Sequence, residues 1–81
     1  MLIHLYLEYL NSAMDWAYQQ ASLLTAEIDR LERQYKRASI AQQERFTEIW
    51  RWRILTLVNL RGMYLEFALM KQEEMEQLDQ L

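Results

Sequence analysis

The sequence predicts an all-α protein, a long antiparallel helical hairpin that associates into a coiled-coil-like four-helix bundle. Three observations carry this prediction. The 81 residues contain no proline and one glycine, Gly62, and strong helix formers (Ala, Leu, Glu, Gln, Arg, Met) dominate. Apolar residues recur at alternating steps of four and three in both halves, which keeps one stripe of a helix facing a partner helix. Turn residues are nearly missing, so a multi-stranded sheet would have few places to reverse. A chain of this length is one domain at most, so residues 1–81 are expected to form a single helical-hairpin domain.

The first helix is predicted over about residues 2–36. Its seam is Ile3, Leu7, Leu10, Met14, Ala17, Ala21, Leu24, Ile28, Leu31, Tyr35 and Ala38. Over residues 2–10 a strand competes, because Ile3, Leu5, Leu7 and Tyr9 also alternate. The continuity of the seam beyond residue 10 favours the helix. Asn11 and Ser12 are a candidate interruption, since Ser12 and Asp15 are spaced like a capping box.

A turn is predicted at about residues 37–40. Continuing the first seam past Ala38 lands on Gln42, Arg45, Ile49, Trp52, Thr56 and Asn59, a poor core. The phase therefore slips before Phe46. Ser39 followed by Gln42 supplies a capping box at that slip. A single unbroken helix is the competing reading, because neither glycine nor proline forces the reversal. The second helix is predicted over about residues 40–77, with Phe46, Trp50, Arg53, Leu57, Leu60, Tyr64 and Phe67 as its seam.

Two helices in a hairpin need one apolar stripe each, and both carry more. The arc of the second helix spans roughly half its circumference, wider than a two-helix seam requires. The expected association core is Leu10, Met14, Leu24, Ile28, Trp50, Leu57, Leu60, Tyr64 and Phe67. A second apolar face is expected from Tyr9, Trp16, Leu23, Ile54, Val58, Leu65 and Leu69. An exposed patch of that size marks an association surface.

Arg53 falls in the predicted seam and Arg61 within the apolar arc. A buried guanidinium needs a carboxylate, a carbonyl or water. Glu27 comes level with Ile49–Arg53 in a hairpin and is a candidate partner for Arg53; snorkelling to the bundle edge is the alternative. Gly62 sits mid-helix, where glycine costs about 1 kcal/mol relative to alanine. It points to close approach of another helix, or to a position where the glycine is tolerated.

Charge is segregated. Residues 30–61 carry eight basic and three acidic side chains, whereas residues 1–29 and 62–81 each carry a net −4, for a total of −3. A hairpin therefore has a basic turn end and an acidic end bearing both termini. Two hairpins laid head to tail would set opposite charges together, which selects an antiparallel homodimer.

The chain lacks cysteine and has one histidine, His4, so no thiolate site or histidine cage can form. It has no glycine-rich phosphate loop. No catalytic, cofactor-binding or metal-ligating residue is assigned, and Glu73, Glu74 and Glu76 read as a solvated acidic face. The run Trp50–Arg53, "WRWR", invites a nucleic-acid reading, but helical geometry points Trp50 and Arg53 toward the seam and Arg51 and Trp52 elsewhere, so no single platform results. Arg30, Arg33 and Arg37, three and four apart, form a better basic patch for phosphate or an acidic protein. The net negative charge argues against a protein that coats nucleic acid. The most apolar run, Ile54–Met70, contains Asn59, Arg61 and Glu66. One arginine costs roughly 2.5–3.5 kcal/mol at a bilayer centre, so no transmembrane span is predicted. The start lacks a basic, cleavable leader, and with the absence of cysteine this suggests a cytoplasmic protein.

The functional expectation is a non-enzymatic helical interaction protein: a self-associating hairpin acting as adaptor, chaperone or regulator of another protein. A nucleic-acid-binding dimer using the basic turn ends is one alternative. An obligate small subunit of a hetero-oligomeric complex is the other. The expected architecture resembles that of dimeric RNA-binding regulators of plasmid copy number and of secretion-system co-chaperones. That likeness is of architecture and carries no residue across.

Overall fold

Thirty-six residues without glycine or proline form α1, Leu2–Arg37, and the capped run that follows forms α2, Ile40–Asp79. The computed structural model describes residues 2–80. The helices lie antiparallel in a rod with backbone extents of 62 × 14 × 14 Å. Residues 2–10 are helical, and α1 passes Asn11 and Ser12 without a break.

The chain reverses at Ala38–Ser39 without glycine, and side chains make this possible. Ser39 is extended (φ −64°, ψ 159°) and caps α2. Its Oγ accepts from the Gln42 amide at 3.2 Å, while Gln42 Oε1 accepts from the Ser39 amide at 3.1 Å. The end of α1 is closed from the other side of the turn. Gln43 Nε2 donates to the carbonyls of Tyr35 (3.0 Å) and Ala38 (3.3 Å), oxygens that a helix C-terminus leaves without intrahelical partners. Lys36 and Arg37 occupy the last turn of α1, where cations complement the helix dipole. Tyr35 Oη then meets Thr47 Oγ1 at 3.3 Å across the interface.

On α1 the seam follows the predicted stripe. Leu10, Ala17, Ala21, Ile28 and Leu31 are buried, while Leu7, Met14, Leu24, Tyr35 and Ala38 are half-buried. Ile3 departs from it and is 59% exposed.

On α2 the seam differs from the predicted one. Trp50, Leu57 and Tyr64 take part as expected. The other column is Gln43, Thr47, Ile54, Arg61, Ala68 and Met75, each buried or half-buried, in place of Phe46, Arg53, Leu60 and Phe67. The true stripe is rotated by about 50°, half of one residue's step around the helix. The cause is visible in α2 itself: its apolar residues spread over a wide arc, so hydrophobicity alone cannot select the phase. The phase is set where α2 meets the α1 stripe, which leaves Ala68 buried and Leu60 exposed. Leu60, expected in the association core, is 38% exposed. Ile54, expected on the second apolar face, belongs to the seam.

Gly62 is not a point of close approach within the hairpin. A Cβ placed there would meet nothing within 4 Å. Gly62→Ala is therefore expected to raise stability by up to about 1 kcal/mol, the helix-propensity difference. Leu10→Ala and Ile28→Ala, which empty buried positions, are expected to lower it by roughly 2–5 kcal/mol. Urea denaturation at one protein concentration checks all three. Equal stabilities of parent and Leu10→Ala would show that this seam is not the core.

Candidate interaction surfaces

The seam divides the hairpin into two flanks and a turn end. The first flank holds Tyr6, Tyr9, Trp16 and Leu23 from α1, with Ile49, Leu60, Met63, Phe67 and Met70 from α2. Trp16 is 49% exposed, and Leu23 and Met63 are each 65% exposed. Trp16 lies edge-on against Tyr64 (centroids 5.3 Å, 76°) and Phe67 (6.2 Å, 82°), the quadrupole-favoured geometry. One edge of the indole is thereby fixed and the other faces solvent.

Polar contacts tie this flank at two levels. Near the termini, Tyr6 Oη donates to Glu74 Oε2 at 2.6 Å, and Lys71 Nζ meets Glu74 Oε1 at 3.2 Å. Lys71 also lies over the Phe67 ring, 5.2 Å from its centroid. The Tyr6 hydrogen bond, and then Lys71, hold the Glu74 carboxyl below its ordinary range. The same hydrogen bond raises the Tyr6 phenol. Toward the turn, Glu27 takes two hydrogen bonds from Arg30, at 2.6 and 2.9 Å, and lies 3.8 Å from Arg53. The Arg30 hydrogen bonds lower the Glu27 carboxyl. Arg53 thus sits at the edge of the seam, 61% of its side chain exposed. Arg61 enters the seam instead and donates to Thr25 Oγ1 at 3.2 Å.

The second flank is asymmetric. On α2 it carries Leu55, Val58, Gly62, Leu65 and Leu69, again three and four apart. Beside them α1 presents Glu8, Asp15, Tyr18, Ser22, Asp29 and Glu32, with Lys36 following at the turn end. The helices leave two hollows there. One lies among Tyr35, Thr47, Trp50, Arg51, Ile54 and Leu55, the other among Tyr18, Ala21, Ser22, Thr25, Arg61 and Leu65.

At the turn end, Arg30, Arg33 and Arg37 line one groove with Gln34, Gln42, Phe46 and Trp50. Glu27 occupies the Arg30 guanidinium. Among the described residues, Arg33 and Arg37 meet no carboxylate within 4 Å. Trp50 is packed edge-on by Tyr35 (5.1 Å, 83°) and Phe46 (5.7 Å, 65°), and Arg45 lies over the Phe46 ring at 5.6 Å. Those rings are committed to one another. Trp52 is 71% exposed and stands apart from them, so "WRWR" makes no single platform.

Of the residues expected to form the association core, Leu10 and Ile28 are buried in the hairpin. Met14, Leu24, Trp50, Leu57, Tyr64 and Phe67 are half-buried, and Leu60 is exposed. The expected second face is split three ways. Tyr9, Trp16 and Leu23 lie on the first flank with Leu60, while Val58, Leu65 and Leu69 lie on the second. Ile54 is in the seam. The Tyr6–Glu74–Lys71 clasp and the Gln43 cap went unread in the sequence. Tyr6 and Glu74 are 68 residues apart, and only an exact turn position brings them level.

Comparison with family models, with curated proteins and with solved structures found no match. Among the described residues, no helix is long and apolar enough to cross a membrane.

The clasp has a pH signature. A carboxyl held below its ordinary value stabilises the fold above the unfolded value, here 4.5, and that contribution is lost as pH falls through the folded value. Glu74→Gln should therefore melt below the parent at neutral pH. The two should converge once the pH is well under 4.5. Thermal melts across that range check it, and a constant difference at all pH values would assign the effect to packing.

Proposed function

We propose that this chain is a non-enzymatic helical interaction protein, an adaptor, chaperone or regulator built as a self-associating hairpin. One observation carries the reading: α2 exposes large apolar side chains on both of its flanks, beyond what α1 covers. Ile49, Leu60, Met63 and Met70 stand on one flank and Leu55, Leu65 and Leu69 on the other, all exposed. Exposed apolar patches of this kind mark association surfaces. The first flank suits a second copy because both helices contribute to it.

Charge supports an antiparallel arrangement. The basic turn end of one copy would lie over the acidic terminal end of the other, and the apolar centre would supply most of the affinity. Long-range fields of this kind select orientation, and salt screens them over about 10 Å at 0.1 M.

Sedimentation equilibrium tests the reading. The parent is expected to be dimeric, and Trp16→Glu and Met63→Glu are expected to be monomeric with helicity retained. Reversing Arg30, Arg33 and Arg37 to glutamate is expected to weaken the dimer more at low salt than at high salt. A monomer at all concentrations overturns self-association, and aggregation of the purified chain points instead to an obligate subunit of another complex. A dimer that cross-links readily through cysteines at position 38 keeps the assembly and reverses its direction. The basic groove gives the nucleic-acid alternative its own measure: RNA or DNA affinity that falls steeply with salt, as phosphate contacts require.

A further inference from the structure

The second flank is an apolar strip on one helix beside an acidic edge on the other. We infer that it docks a single amphipathic helix from a different polypeptide, with two heptads of apolar residues and a basic edge facing α1. This rests on the second flank's own residues and stands whether or not the first flank joins two copies.

The strip has helical recognition spacing. Leu55, Val58, Gly62, Leu65 and Leu69 follow steps of three, four, three and four, the anchor pattern of a helix laid in a groove. Leu55 to Leu69 spans about 21 Å at 1.5 Å per residue. The hollows beside Leu55 and Leu65 lie about 15 Å apart by the same rise, so one helix can fill both. Gly62 lies between them, with open space where a Cβ would stand, and its missing side chain lets a second backbone come close. An added strand has no place here, because the amides along this part of α2 are spent within the helix.

Charge identifies the occupant as another chain. If a second copy docked on this flank with α1 over α1, Asp15 would face its own counterpart in a parallel pair and Asp29 in an antiparallel one. If it docked with α1 over α2, Asp15 and its neighbours would lie on the leucine strip without partners. Like charges facing each other and carboxylates on an apolar surface are both costly. A helix with lysine or arginine along one edge meets the acidic side chains and covers the leucines.

The test uses the intact chain and two synthetic peptides of about 20 residues, long enough to cover the strip. Both carry the same leucine heptads; one has lysine edges and the other glutamate edges. Fluorescence anisotropy is expected to show the lysine peptide binding at least about tenfold tighter, a preference that narrows as salt screens it. Leu65→Glu and Leu69→Glu should each weaken the lysine peptide by about tenfold or more, as anchor losses do, with helicity unchanged by circular dichroism. Met63→Glu, on the opposite flank, should leave peptide affinity as it was. Asp15→Lys combined with Asp29→Lys alters exposed positions only and should reverse the preference toward the glutamate peptide. The inference is overturned if neither peptide binds, if the two bind alike, or if Met63→Glu matters as much as Leu65→Glu. It is also overturned if Leu65→Glu lowers the chain's own assembled mass, since a second copy would then be the occupant.

Discussion

Three of the six buried side chains in the contact between α1 and α2 are alanines. Ala17, Ala21 and Ala68 are buried, and each presents one methyl group where a coiled coil more often places leucine. Small residues bring backbones close, and a close seam hides a thin strip of each helix. The large residues are displaced from the interface to its two shores. Trp16 straddles one shore, leaning on Tyr64 and Phe67 without entering between the helices. Leu65 and Tyr18 sit on the other. The flanks carry the large side chains that the seam does not hold.

The ends of the rod are fastened by a different chemistry from its middle. At the turn, the Ser39–Gln42 box and the Gln43 amide satisfy backbone groups that two helix ends would otherwise leave to water. At the open end, Tyr6, Lys71 and Glu74 form a polar clasp beside the Phe67 ring. Between them, the one polar side chain that enters the central seam from α2 with a charge is Arg61, and Thr25 receives it. The carboxylate that could neutralise an arginine here, Glu27, lies at the flank and serves Arg30 first. Its 3.8 Å approach to Arg53 is the looser contact, so the arginines of the apolar run are accommodated by reaching the rim.

Much of this architecture was legible in the residues. The α1 stripe could be read because it runs unbroken at heptad spacing from Leu7 to Tyr35, with Glu8, Asp15, Ser22 and Asp29 beside it. The turn could be read because that stripe fails after Ala38 and because Ser39 and Gln42 have the spacing of a cap. The phase of α2 was not legible, and the reason is energetic. Burying Leu60 and Phe67 or burying Ile54 and Ala68 both remove apolar surface from water, and the choice is made by the shape of the facing helix, which a one-dimensional pattern does not contain. The same ambiguity explains why one expected apolar face resolves into two flanks of unlike character. The tyrosine–glutamate clasp was illegible for a simpler reason: its partners stand at opposite ends of the sequence.

The glycine-free reversal bears on how the rod assembles and comes apart. Interhelical contacts in an antiparallel pair grow steadily in loop length away from the turn, from 12 residues between Tyr35 and Thr47 to 68 between Tyr6 and Glu74. Closing a short loop first makes each later closure an increment, so chain entropy favours zipping from Ser39 outward. Unzipping then proceeds from the opposite direction, with the clasp as its first tooth. Amide exchange should be graded along the rod, slowest near Leu31 and fastest beside Tyr6 and Glu74. Tyr6, Tyr9 and Met75 thus lie on the part of the molecule that separates most readily.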